Sequence, residues 1–186
     1  MSSGEVILYK GSRGKGKTLS MSFDAKLYFQ DGWVVYSNYS LSFAQRLSNE
    51  EILALNKDSD LRNCVIAVDE LQTLFDSRSW TSKTSLTFSY FLQQIRKRNI
   101  VFLATSQFVN LVDKRFRQQI DYFAYPQLDL ISLWCKVTYV DMSFLEDVDL
   151  EVLSKGSLSF GVIKKFSVIY DASLIFPLYD TFEMIV

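Results

Sequence analysis

Residues 11–18 have the sequence Gly11-Ser12-Arg13-Gly14-Lys15-Gly16-Lys17-Thr18, and this stretch decides the fold. It matches the Walker A pattern G-x-x-x-x-G-K-[ST] and lies between an apolar run, residues 5–10, and a segment with helical spacing, residues 18–30. A glycine-rich loop between a strand and a helix directs several main-chain N–H groups at one anion. We therefore predict that these eight residues bind the phosphates of a nucleotide, with Lys17 on the β and γ phosphates and Thr18 on a bridging Mg²⁺.

A second motif follows the apolar run of residues 64–68, which ends abruptly in Asp69 and Glu70. Taken alone, two acids here fit a solvated strand end as well as they fit a site. After a phosphate loop, we predict that Asp69 holds the Mg²⁺ and that Glu70 polarises the attacking water. An acid directly after the magnesium aspartate favours hydrolysis over transfer to a substrate hydroxyl.

A third group of candidates surrounds the apolar run of residues 100–104, which ends in Thr105-Ser106-Gln107. Because the carboxyl ends of parallel strands face one crevice, we expect Gln107 to contact the γ phosphate, although a polar strand cap is the plain alternative. Arg96 and Arg98 end a predicted helix over residues 85–98, and either could reach a neighbouring copy's nucleotide as an arginine finger. Cations also favour helix C-termini for dipole reasons alone.

Another basic group, Lys114 to Arg117, follows the same run and fits either a finger or a contact to a DNA phosphate backbone.

Length and composition fit one P-loop domain over residues 1–186, since 186 residues with 48% hydrophobic content can bury one self-sufficient core. The predicted fold is α/β, with a mainly parallel central sheet flanked by helices. In the C-terminal third, residues 134–140, 161–170 and 174–179 alternate as strands do and predict antiparallel edge strands.

Composition also excludes several kinds of chemistry. The chain has no His, which rules out imidazole metal sites and Ser-His-Asp triads. Its net charge of -1 gives no global attraction to nucleic acid, so DNA would have to contact a local patch. Cys64 and Cys135 lie in apolar runs and predict buried thiols, with a disulfide as the less favoured alternative. No apolar stretch approaches the roughly 20 residues of a membrane span, so we expect a cytoplasmic protein without direct membrane insertion.

Together these motifs resemble the Zot-type branch of the FtsK/HerA P-loop ATPases. The resemblance includes the phosphate loop, Tyr36-Ser37-Asn38, residues 65–72, residues 94–99 and residues 102–107, and it extends loosely to residues 178–181. It implies an ATP- and Mg²⁺-dependent motor that works as a homo-oligomeric ring, a hexamer in that family. Lys17, Thr18, Asp69, Glu70 and Gln107 would carry the family's nucleotide, magnesium, water and sensor roles, with the finger at Arg96 or Arg98.

That family includes filamentous-phage assembly proteins and the genome-packaging ATPases of tailless viruses. Because this chain lacks the span that follows the ATPase domain of Zot-type proteins, we favour a translocase of double-stranded DNA in viral genome packaging. The alternatives are an assembly or secretion ATPase that acts with a membrane or virion partner, and a small-molecule kinase. The absence of an Asn-Lys-x-Asp guanine motif makes ATP the expected nucleotide.

Overall fold

The structure is a computed structural model that describes residues 4–56, 58–76, 82–142 and 165–180. Eight strands, β1 to β8 in chain order, are Glu5–Lys10, Val34–Ser37, Gln45–Arg46, Cys64–Val68, Ile100–Ser106, Tyr122–Leu128, Trp134–Asp141 and Lys165–Asp171. Six helices, α1 to α6, are Lys17–Gln30, Asn49–Leu53, Gln72–Asp76, Ser82–Gln93, Ile95–Arg98 and Lys114–Arg117. Short 3₁₀ turns lie at Val109–Leu111, Ala172–Leu174 and Phe176–Leu178.

All eight strands form one sheet in the order β3-β2-β4-β5-β1-β6-β7-β8. The first six strands of this order run parallel to their neighbours. Strands β7 and β8 continue the sheet in antiparallel fashion. The predicted α/β architecture, a mainly parallel sheet with antiparallel C-terminal strands, is therefore confirmed.

Helices cover both faces of the sheet, because its central strands are apolar on both sides. Every residue of β4 and β5 is buried, as expected for strands in the middle of a parallel sheet. Helix α1 packs on one face, where Leu19, Met21 and Ala25 join the core. The opposite face packs against α2, α4, α5 and α6. Both layers leave the carboxyl ends of β1, β4 and β5 at one edge of the sheet.

Two predicted elements differ from the structure. The helix predicted over residues 85–98 is two helices, α4 and α5, because the Gln94 N–H bonds to the Phe91 carbonyl, three residues back, and interrupts the α-helical ladder. The strand predicted over residues 174–179 is wrong: 3₁₀ turns occupy most of it. The Asp171 carboxylate accepts the Ser173 N–H and caps the first turn, and Pro177 has no N–H to give to a ladder.

The strand predicted over residues 161–170 is confirmed from Lys165 onward, and residues 161–164 lie outside the described residues. Thr181, the last residue of the segment 178–181 that contributes to the family resemblance, also lies outside the described residues. Strand β6 was not predicted.

Both cysteines are buried free thiols, as predicted, and burial raises the pKa of the Cys64 thiol to about 11. Among the helices of the described segments, none has the length and apolar character needed to cross a membrane.

Candidate nucleotide-binding site

The phosphate loop joins the carboxyl end of β1 to the N-terminus of α1. Gly14 and Gly16 have φ angles of +73° and +86°, in the left-handed region that favours glycine. At Gly16 an added Cβ would also lie 3.1 Å from the Leu128 Cβ, so a side chain there would be strained by conformation and crowded by Leu128. No side chain caps the N-terminus of α1 through a hydrogen bond. The first N–H groups of this helix are therefore directed, without a side-chain cap, toward the loop, where an anion would be stabilised.

Lys17 is the cation of the loop. Its side chain is buried, and Nζ donates a 3.1 Å hydrogen bond to the carbonyl oxygen of Ser12 across the loop. Burial lowers the pKa of the Lys17 ammonium, while the carboxylates of Glu70 and Asp69 counter part of that shift. A positive charge is thus held over the loop, next to two acids.

Thr18 and Asp69 meet although 51 residues separate them. The Thr18 hydroxyl donates to both oxygens of the Asp69 carboxylate, each at 3.1 Å. Burial raises the pKa of the Asp69 carboxyl, and the hydrogen bond from Thr105 is the strongest of the effects that counter it. A hydroxyl and a carboxylate at this separation are oxygen ligands of the kind that Mg²⁺ takes beside nucleotide phosphates.

Two residues without a predicted role hold the acidic pair in place. Asn38, just after β2, accepts the Asp69 N–H at 2.7 Å and donates to the Asp69 carbonyl at 3.1 Å. Thr105, fully buried near the end of β5, accepts the Glu70 N–H at 2.9 Å and donates to the Asp69 carboxylate. Asn38 follows β2 and Thr105 lies near the end of β5, the two parallel strands that flank β4. A polar residue at the carboxyl end of an apolar run was therefore the sequence signal that could have identified them.

Gln107 lies where the sequence placed it, one residue beyond β5. Its side-chain amide donates a 2.9 Å hydrogen bond to Oε1 of Glu70. The amide thus contacts the candidate water-activating carboxylate, at the same sheet edge as the phosphate loop.

A cavity of about 790 Å³ joins these groups. Its polar wall consists of Arg13, Gly14, Gly16, Lys17, Thr18, Asp69, Glu70, Thr73, Gln107 and Asp180, and its apolar wall includes Tyr39, Leu128, Leu130, Phe176 and Tyr179. This volume is typical of small-molecule sites. The described segments contain no cluster of three or more acidic or cysteine side chains arranged around a metal ion. The Thr18 hydroxyl and the Asp69 carboxylate fit a Mg²⁺ that would take its remaining ligands from phosphates and water.

The remaining predicted site residues separate into two groups. Ser12, Arg13 and Lys15 are exposed residues of the loop. Arg96 and Arg98 lie instead on α5, which precedes the amino end of β5, at the opposite edge of the sheet. There the Arg96 guanidinium pairs with Asp121, and Arg98 donates to the Gln94 side chain at 3.0 and 2.8 Å.

No protein-family model matches the sequence, and no curated protein sequence matches it. Among solved structures, the chain is similar to the N-terminal domain of zonular occludens toxin from Neisseria meningitidis, with a TM-score of 0.61 and 18% identity over 96% of this chain and 100% of that one. It is also similar to a solved ATPase domain, with a TM-score of 0.51 at 11% identity, over 90% and 81% of the two chains.

The flagellar accessory protein FlaH from Methanocaldococcus jannaschii has a TM-score of 0.50 at 12% identity, over 76% and 79%. At these identities the likeness is one of fold. Together with the mainly parallel sheet and its loop, these matches establish that the chain has a P-loop NTPase fold.

Proposed function

We propose that the chain is an ATP-hydrolysing motor that translocates double-stranded DNA, as in viral genome packaging. One observation carries the hydrolase part of this proposal. The phosphate loop, the Thr18–Asp69 pair and the Glu70–Gln107 pair come from separate places in the sequence and line the same cavity. Phosphate binding, metal binding and water activation need that proximity.

Each side chain has a distinct part in the proposed reaction. Main-chain N–H groups of the loop and the Lys17 ammonium bind the β and γ phosphates. Thr18 and Asp69 hold the Mg²⁺, which supplies charge neutralisation at those phosphates when bound. The Glu70 carboxylate accepts a proton from the attacking water, and Gln107 orients that carboxylate.

The oligomeric part of the proposal rests on the resemblance of the motif set to ring ATPases, and the arginines are its candidate fingers. Arg96 and Arg98 lie at the sheet edge opposite the phosphate loop, so neither can serve the nucleotide of its own chain. In a ring of copies, one of them would complete the neighbouring site as a finger. We therefore propose a homo-oligomeric ring as the active state, a hexamer if the chain follows the resembling ATPases.

Double-stranded DNA as the moved substrate is supported by the resemblance of the motif set to packaging ATPases. The second candidate is an assembly ATPase that acts through a membrane or virion partner. It is favoured by the likeness to the N-terminal domain of zonular occludens toxin, which extends over 96% of this chain. The two candidates share the site and differ in what stimulates it.

Measuring ATP turnover with and without linear double-stranded DNA tests the proposal. We expect stimulation by DNA, a fall in turnover of at least about a hundredfold in Lys17→Ala, and a ring mass by native mass spectrometry. Robust turnover that is indifferent to DNA would contradict translocation and favour the assembly candidate. A monomeric enzyme that phosphorylates a small hydroxyl substrate would contradict both.

A further inference from the structure

Helix α3 begins two residues after Glu70 and brings a second amide to it. The Gln72 amide donates to Oε2 of Glu70, while Gln107 donates to Oε1 of the same carboxylate. The two glutamines come from different elements, and each engages one oxygen. The orientation of the Glu70 carboxylate is thus fixed from both sides by neutral donors.

The same turn of chain contains two buried polar atoms that the fold does not satisfy. Gln72 Oε1 and Thr73 Oγ1 are shielded from solvent and have no hydrogen-bond partner among the described residues. Buried polar atoms almost always have a partner, so both atoms can take a hydrogen bond that the described residues do not supply. Thr73 lines the cavity that Lys17, Thr18 and Glu70 also line.

The backbone at Glu70 adds a third observation. Its φ angle is +51°, a left-handed conformation that is uncommon for a residue other than glycine. Two hydrogen bonds hold it there: the Glu70 N–H donates to Thr105, and the Thr73 N–H donates to the Glu70 carbonyl at 2.8 Å. This turn keeps Glu70 and Thr73 next to each other. Strain of this kind is concentrated at functional sites.

We propose that Gln72 and Thr73 complete the water-activating part of the site, Gln72 as a positioning residue for Glu70 and Thr73 as a direct ligand of the attacking water. This inference rests on the proposed ATP hydrolysis. The water oxygen forms a bond to the γ phosphorus as the bond from that phosphorus to the β–γ bridging oxygen breaks, and that electron pair leaves with ADP. One water proton passes to the Glu70 carboxylate, and the other stays on the oxygen that joins the phosphate and donates a hydrogen bond to Thr73 Oγ1.

Steady-state kinetics on the full chain with Mg-ATP test this inference. We expect Thr73→Val and Gln72→Ala each to lower kcat by roughly 10- to 100-fold, with KM changed by less than about threefold. Thr73→Ser keeps the hydroxyl and should retain kcat within about threefold of the unsubstituted chain. Gln30→Ala, at the far end of α1, is the matched glutamine control and should change neither constant.

A double variant shows whether Gln72 acts through Glu70. Single-turnover rates of Glu70→Ala and of Glu70→Ala with Gln72→Ala should be equal, because a positioning residue has nothing left to position. Further loss in the double variant would overturn the positioning role. Thermal unfolding of each variant separates this effect from a loss of folding. If Gln72→Ala does not fold, the comparison of Thr73→Val with Thr73→Ser still tests the inference.

Equal kcat for Thr73→Val and Thr73→Ser would overturn the water-ligand role while leaving ATP hydrolysis intact. Absence of Mg-ATP turnover in the unsubstituted chain would overturn the hydrolase proposal and this inference together.

Discussion

Asp69 and Asp24 are both half-buried acidic residues, and their surroundings differ in an instructive way. Asp69 lies at the carboxyl edge of the sheet, where the Thr18 and Thr105 hydroxyls donate to it and the Lys17 ammonium lies close by. Asp24 lies within α1, where two phenols, those of Tyr9 and Tyr139, donate to its Oδ2. Burial raises the pKa of both carboxyls, that of Asp24 to about 6.

The comparison shows that burial alone does not distinguish a reactive acid. Asp24 has structural partners only, and these tie α1 to β1 and β7. Asp69 adds a metal-compatible hydroxyl, an adjacent second acid and a shared cavity with the phosphate loop. We therefore expect changes around Asp69 to act on turnover and changes around Asp24 to act on stability.

The largest effect should come from Lys17→Ala, which removes the cation beside Asp69. We expect turnover to fall by at least about a hundredfold, because a preorganised charge at the transferred phosphoryl group is lost. Lys97→Ala, an exposed lysine on α5, is the control and should leave turnover unchanged. Turnover retained in Lys17→Ala would show that the phosphate loop is not the site of hydrolysis.

An intermediate effect is expected from Thr105→Val, which removes the buried hydroxyl that joins Asp69 to Glu70. The free energy of unfolding should fall by roughly 1–3 kcal/mol, since two polar groups lose a partner. We also expect kcat to fall by at least about tenfold, because both acids lose alignment. Chemical denaturation and kinetics measure the two effects.

Thr138→Val is the matched control for Thr105. The Thr138 hydroxyl contacts the exposed Ser167 hydroxyl, away from the carboxyl edge. Its removal should lower the free energy of unfolding by less than about 1 kcal/mol and leave kcat unchanged. Equal effects of the two threonine variants would contradict the assigned role of Thr105.

The last effect, on stability and not on turnover, concerns Asp24. Its carboxyl binds a proton more tightly in the folded chain, with a pKa of about 6, than in the unfolded chain, with a value of 3.8. The contribution of this protonated carboxyl to the free energy of unfolding is present below about pH 4 and is lost as the pH rises through about 6. As the pH rises from about 4 to about 7, the free energy of unfolding of Asp24→Asn should therefore increase by roughly 1–3 kcal/mol relative to that of the unsubstituted chain. A pH-independent difference in unfolding free energy would contradict this account.

Local patterns predicted the parts of the site that one stretch of sequence contains. The phosphate loop and the apolar run before Asp69 each give a complete local pattern, and the structure places both as predicted. Asn38 and Thr105 were missed as site residues, because their contacts with Asp69 and Glu70 depend on strand order and register. Neither can be read from a single stretch.

Strand β6 was missed for a different reason. Pro126 lies within it, and proline usually argues against a strand interior because it has no N–H for the ladder. In the structure, β6 pairs with β1 only from Tyr122 to Ala124, and β7 is its only partner at Pro126 among the described strands. Among the described strands, Pro126 thus has a pairing partner on one side only, so its missing N–H interrupts no ladder on the other. Only the tertiary structure reveals this arrangement.

The most direct test of the central claim is a calorimetric titration of ATP into the full chain with Mg²⁺ and then with EDTA in its place. We expect measurable affinity with Mg²⁺ that falls at least about tenfold with EDTA, and Asp69→Asn should remove most of that difference because it loses a metal ligand. Absence of binding under both conditions, or affinity that is the same with and without the metal, would contradict a Mg-nucleotide site at this edge of the sheet.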